Sequence, residues 1–287
     1  MMRLVALGIA LPILLIANGC SGAGGDPAPE AKESTKKETE KTYVTNSIAI
    51  KLVLIPKGKF LMGSPKGGGA EQDRETQHEV EISQPFYLGV HEVTQQQFEQ
   101  VMGTNPSYFG PNGKAKNMVV GIDTNTLPVE SVTWEEADQF CKKLTALDAE
   151  KAAGRVYQLP TEAEWEYACR AGANPWQPFN TGAVISIDLA NYGSNVRRTR
   201  AVGSYKANAF GLYDMHGNVL EWCADWMGAY KSEPVTDPVG PDSGRFRVYR
   251  GGGWVSKLEN CRSAMRLSAT TGYRMVDVGF RVKLLAR

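Results

Sequence analysis

The chain has 287 residues, with Lys+Arg 32 against Asp+Glu 31 and a formal net charge of +1. Near-neutrality argues against a nucleic-acid binder that works by phosphate neutralisation. Hydrophobic residues at 42% and charged residues at 22% argue against a disordered chain. Thirty Gly beside six Trp and eleven Tyr are unlike a helical bundle and predict many turns around a core of large side chains.

In chain order, Met1-Met2-Arg3 and the apolar run Leu4 to Ile16 read as a secretory signal peptide, too short for a comfortable bilayer span of about 20 residues. The run closes on Ala17-Asn18-Gly19-Cys20, which resembles a lipobox. Residues 1–19 are therefore expected to be removed and Cys20 to be lipidated. Ser21 after it favours the outer membrane or cell surface. Residues 20–46 are rich in Gly, Pro, Ser, Thr, Lys and Glu and read as a flexible tether. Residues 47–287 show no composition break and are expected to form one domain. Its four cysteines carry no metal-type spacing. Cys141 and Cys169 read as buried thiols, and Cys223 with Cys261 as a candidate disulfide in an export compartment.

Within the domain, Ile48–Pro56, Lys59–Gly63, Val80–Ile82 and Phe86–Val90 read as strands. Thr94 with Gln97, Thr133 with Glu136 and Thr161 with Glu164 each spell a capping box at a helix start. The second helix puts Trp134, Ala137, Phe140, Cys141, Leu144 and Leu147 on one face. The third turns Trp165, Ala168 and Cys169 inward, and Gly172 can end it. Beyond Gly172 regular elements thin out until Arg245–Arg250 and Val278–Val282, which alternate like strands. The pattern is mixed α+β with long ordered loops.

Several ordered strings then carry a family resemblance. They are Phe60-Leu61-Met62-Gly63-Ser64, His91-Glu92-Val93-Thr94 and Pro128 to Trp134, then Leu159-Pro160-Thr161-Glu162-Ala163-Glu164-Trp165-Glu166-Tyr167-Ala168. Phe210 to Trp222, Arg250-Gly251-Gly252-Gly253-Trp254, Arg262-Ser263-Ala264 and Gly279-Phe280-Arg281 complete the set. Over about residues 48–283 the chain resembles the formylglycine-generating enzyme, or sulfatase-modifying factor, family. The resemblance implies a single C-type-lectin-like α+β domain with little regular secondary structure. It also implies an oxygen-dependent oxidase that converts a sulfatase cysteine to formylglycine with copper held by a Cys pair.

Four departures argue against that reaction. Ser256 stands at the first Cys position, Gly253 where a Ser is usual and Leu220 where a Trp is usual. The segment from Trp254 to Arg262 is also shortened, so that Cys261 matches the second Cys only loosely. A hydroxyl is a poor ligand for copper(I), which wants soft thiolates. Copper is therefore not expected, and the three-His iron site of sulfoxide-forming relatives draws on an additional domain for which the chain, with only His78, His91 and His216, is expected to have no room. The resemblance does imply calcium on the loop Asp214–Glu221, with carboxylates from Asp214 and Glu221 and backbone oxygens from Gly217 and Val219. The family's other calcium site would use Asn191 and Tyr192, and the short loop after them argues against it.

Between the fixed points of the frame, Trp254, Val255, Ser256, Lys257, Leu267 and Met275 are expected to line a recognition face. The expected function is binding of a protein or glycan at the envelope, with the membrane touched only through the lipid anchor and no role for nucleic acid. The oxidase is the alternative. A surface diversified by a retroelement through Asn codons is a weaker one, against which Lys257, Met265 and Met275 stand, since adenine mutation of an Asn codon yields neither Lys nor Met.

Overall fold

The computed structural model describes residues 40–65 and 74–286. The expected signal peptide, the lipidation site Cys20 and most of the tether lie outside the described residues. The tether ends earlier than residue 46, because β1 (Tyr43–Thr45) already pairs antiparallel with β2 (Lys51–Ile55). Ala49, in left-handed backbone at φ 62, makes the turn between them.

The remaining elements follow in order. β3 (Gly58–Met62) pairs with β4 (His78–Ile82), and β5 (Phe86–Gly89) leads to α1 (Gln95–Met102). Then come α2 (Trp134–Ala146), α3 (Asp148–Ala152), β6 (Tyr157–Gln158) and α4 (Glu162–Arg170). The C-terminal half holds β7 (Leu220–Trp226), β8 (Val235–Thr236), β9 (Arg247–Arg250), β10 (Leu267–Ala269), β11 (Val278–Gly279) and β12 (Lys283–Leu285).

Three sheets result, ordered β1-β2-β5-β12-β6, β10-β9-β7-β11 and β3-β4-β8. The C-terminal β12 inserts between β5 and β6, so the two ends of the domain share one sheet. The expected strand Val278–Val282 is split. Val278–Gly279 runs parallel to β7, and the chain then crosses at Phe280-Arg281-Val282 into the first sheet. Gly279 permits this crossing, since a Cβ there would lie 2.4 Å from Val129 O.

All three capping boxes are formed in full. In α2 the face of Ala137, Phe140, Cys141 and Leu144 is buried, while Trp134 is half-buried and donates through Nε1 to Cys223 O at 2.8 Å. Phe140 stacks on Phe98, and the edges of both meet Phe280. α4 is buried on nearly every side, including Glu162, Glu166 and Arg170. Its acids hold buried arginines. Arg250 pairs with Glu166, Arg170 with Glu166 at 2.8 Å, and both oxygens of Glu162 accept from Arg266 at 2.7 Å. Such a network tolerates burial because each charge faces an opposite one, although Arg250 Nε is left without a hydrogen bond.

Candidate functional site at the C-terminal face

After β9 the chain turns through Gly251 and Gly252 at φ 94 and 76. Trp254 is fixed by its N–H to Asn218 O, by Nε1 to Val276 O at 3.0 Å, and by an edge contact with Phe109. Ser256 turns inward. It is buried, and its hydroxyl accepts from Gly253 N at 2.9 Å. Its expected place on an open face is thus corrected: the hydroxyl closes the turn.

Cys261 is wholly buried against Phe179, Ile185 and Ala190, with Sγ 3.6 Å from Lys257 O. Burial pushes its thiol up to about 12, with Glu259 adding to the effect. The candidate disulfide is also corrected: Cys141, Cys169, Cys223 and Cys261 are all free and buried, and Cys223 sits in a different core cluster from Cys261. At Gly253 a Cβ would lie 2.6 Å from Asp277 Oδ2, so the family's Ser has no room there. A bonded hydroxyl and a protonated, enclosed thiol do not fit a copper ion, which needs thiolates it can reach.

The recognition face is smaller than expected. Val255 (38% exposed), Lys257 and Met275 (41% exposed) are open, whereas Trp254 and Leu267 are half-buried. Leu267 sits on β10 opposite Tyr249 and packs against the main core.

The three histidines are structural. His216 bonds Cys261 O through Nδ1 at 2.8 Å and accepts from Asn180 N through Nε2 at 3.1 Å, and burial lowers it to about 4. His91 packs on Tyr213 and is likewise lowered to about 4 by burial. His78 bonds Thr76 O and packs on Tyr230.

The calcium loop also departs from expectation. Asp214 takes left-handed backbone at φ 58, and its Oδ2 accepts from Gly203 N at 2.6 Å. Glu221 does not face an open turn. It lies on β7 and accepts from Trp165 Nε1 at 2.7 Å and from Arg281 twice at 2.6 Å. Three N–H donors, two of them from a buried guanidinium, already satisfy its charge, so Glu221 does not fit a calcium ligand. Gly217 and Val219 stay close by in the same turn, with Gly217 N donating to Gly251 O.

Better-suited oxygens lie next to it, one of them on Asn191, which the sequence argued against. Asn191 Oδ1 and Thr199 Oγ1 are buried without any hydrogen-bond partner, as is Glu92 Oε1. Asn191 and Glu92 both join Asn218, whose Oδ1 accepts from Asn191 Nδ2 and whose Nδ2 donates to Glu92 Oε2. Partnerless hard oxygens are what a calcium ion relieves. Among the described residues no three His, Cys, Asp or Glu side chains form a metal cluster, so any such site draws mainly on amide, hydroxyl and backbone oxygens.

Two features were not read from the sequence. One is a cleft of about 740 Å³ between the start of α4 and the loop around Tyr230, floored by Glu162 and Arg266 with the Tyr230 ring 3.7 Å over Arg266. The other is Asp277, which only the tertiary fold brings against Gly253.

Comparison with known proteins places this geometry. The sequence matches the sulfatase-modifying factor enzyme 1-like domain family over residues 36–284. It is 34% identical over 247 residues to the serine/threonine-protein kinase pkn1 of Chlamydia caviae, covering 80% of this chain and 37% of that protein. The chain thus spans little more than a third of that relative's length. It is 27% identical to the formylglycine-generating enzyme of Streptomyces coelicolor, covering 93% and 96% of the two chains. Among solved structures, Treponema denticola variable protein 1 superposes with a TM-score of 0.72 at 27% identity, covering 86% of this chain and 99% of that one. PvdO from Pseudomonas aeruginosa gives 0.68 at 26%, covering 85% and 98%. The α+β architecture is therefore the formylglycine-generating-enzyme fold. By sequence and by structure the chain belongs to the sulfatase-modifying factor enzyme 1-like family.

Proposed function

We propose that this protein is an exported, lipid-anchored envelope protein whose C-terminal face holds a protein ligand, and that it does not carry out the copper oxidase reaction. The observation that carries this reading is the state of the two residues nearest the family's Cys pair. Ser256 is spent on its own turn, and Cys261 is enclosed as a thiol. A nucleophilic or metal-binding sulfur needs a lowered pKa and access, and Cys261 has neither. Meanwhile Val255, Lys257 and Met275 stand open on a rigid frame, an arrangement suited to recognition. The relatives bear printed names as different as kinase and formylglycine-generating enzyme, so fold alone does not choose among activities. The reading is supported by the lipobox-like Cys20 and by a neighbour named a variable protein.

A calcium ion belongs to this proposal on the oxygens of Asn191 and Thr199, where it would brace the loop beneath Trp254 without taking part in chemistry. Binding is tested by placing the photo-crosslinker p-benzoylphenylalanine at position 255 in the full chain. Protein adducts that vanish when the crosslinker is moved to Lys142, on the outer face of α2, are expected. Glycan-only adducts, or none, would overturn the protein-ligand reading.

A further inference from the structure

The cleft beside the start of α4 is separate from the C-terminal face, since Val255, Lys257 and Met275 do not line it. At about 740 Å³ it has the size of a small-molecule site. Its walls are largely apolar. Met62, Val235 and Val239 line it together with Pro234, Pro238 and Pro241, whose fixed φ angles stiffen the loop that carries them. Lys231 and Glu233 are exposed and of opposite sign.

Glu162, Arg266 and Asp225 line the cleft as buried charged side chains, and the first two are closed to a ligand. Arg266 spends Nε and Nη2 on the two oxygens of Glu162, and Nη1 on Arg74 O and Gly228 O at 2.8 Å. The Tyr230 ring covers its face. His78 bonds Thr76 O through Nδ1 and packs on the same tyrosine.

Asp225 differs from these. It is 4% exposed, and its Oδ2 accepts from Glu162 N, at the first residue of α4, at 2.7 Å. Among the described residues no ion pair reaches it. Its Oδ1 faces the cleft wall at Gly240, where a Cβ would come within 3.2 Å of it. Burial and the Glu162 charge hold the carboxyl up to about 7, more than the Arg266 charge offsets.

A carboxylate offers about four acceptor sites, and the N–H of Glu162 fills one. Holding such a group in a buried place without a counter-charge is costly. Apolar walls around one carboxylate with acceptors to spare suit a ligand with an apolar body and a cationic head. We propose that this cleft binds a small organic cation, with its ammonium or guanidinium paired to Asp225 Oδ1 and its apolar body held against Val235, Val239 and the prolines.

The test titrates the full chain with 2-phenylethylammonium and follows the Trp226 indole and Val239 methyl signals by NMR. The neutral control is 2-phenylethanol and the anionic control is 3-phenylpropionate. Saturable binding of the ammonium is expected, about tenfold or more tighter than the alcohol, with no binding of the anion. Asp225→Asn keeps an oxygen for Glu162 N and removes the charge, so it should bring the ammonium down to the affinity of the alcohol. Val239→Arg, at a position 64% exposed, sets a cation on the cleft wall and should weaken the ammonium while sparing the alcohol. Absent ammonium binding, equal binding of the alcohol or the anion, or undiminished affinity in a folded Asp225→Asn would overturn the proposal. Should Asp225→Asn fail to fold, Val239→Arg decides, and undiminished ammonium binding there overturns it equally.

Discussion

Replacing Glu221 by Gln removes the counter-charge of Arg281, and its cost follows from the geometry. Arg281 has no exposed surface and spends its donors on Gly89 O, Tyr213 O and both oxygens of Glu221. Leaving a buried guanidinium without its carboxylate costs about 3–5 kcal/mol. Part of this is recovered locally. Glu92 and Asp214 are held above the usual carboxylate range by burial, with the Glu221 charge also contributing. Without that charge they ionise more readily and face Arg281 in its place. A net loss of about 3 kcal/mol is expected, a large fraction of a typical 5–15 kcal/mol. Urea denaturation of the full chain measures it, with chelator and with calcium at about 1 mM, the range of extracellular sites. The loss should be the same in both conditions, because Arg281 rather than calcium answers Glu221. A loss below about 1 kcal/mol, or one matched in the parent protein by chelation alone, would refute the assignment.

Further predictions concern other parts of the molecule. Asp277 has its pKa raised from 3.8 to about 6 by burial. Its folded pKa lies above its unfolded one, so its ionisation destabilises the fold progressively as pH rises from about 4 to 6. Asp277→Asn should remove that part of the pH dependence and gain up to about 3 kcal/mol at neutral pH, read as the difference between the two stability–pH curves. Equal slopes would show that burial does not raise this carboxylate. Thr161→Ala should cost about 1 kcal/mol by opening the α4 capping box, and Thr161→Ser should restore most of it, both read from denaturant midpoints. Calcium should raise the melting temperature, and Asn191→Ala should abolish that increment while Asp214→Asn retains it. The reverse pattern would return the ion to the Asp214 loop.

What the sequence revealed was what is encoded locally. The three capping boxes were legible because Thr and its Gln or Glu partner lie three residues apart and act within one helical turn. β7 was not legible. Leu220-Glu221-Trp222-Cys223 is buried at every position, so it shows no alternation, and a buried Glu there looks like an error until Arg281 arrives from 60 residues away. β1 escaped for the opposite reason: three residues in a polar stretch become a strand only because β2 offers an edge. Ser256 was expected on the surface and lies buried, because its bond to Gly253 N depends on how the glycine turn closes. The burial of Asp277 against Gly253 depends on how the tertiary fold closes, and no spacing in the chain carries that information.

The central claim is that this member of the family recognises a ligand where its enzymatic relatives oxidise a cysteine. It is tested most directly by incubating the full chain with copper(I), oxygen and a cysteine-containing sulfatase peptide, and following the peptide by mass spectrometry. The account predicts unmodified peptide, with the Cys261→Ser variant indistinguishable from the parent. Formation of the peptide aldehyde by the parent and its loss in Cys261→Ser would contradict it.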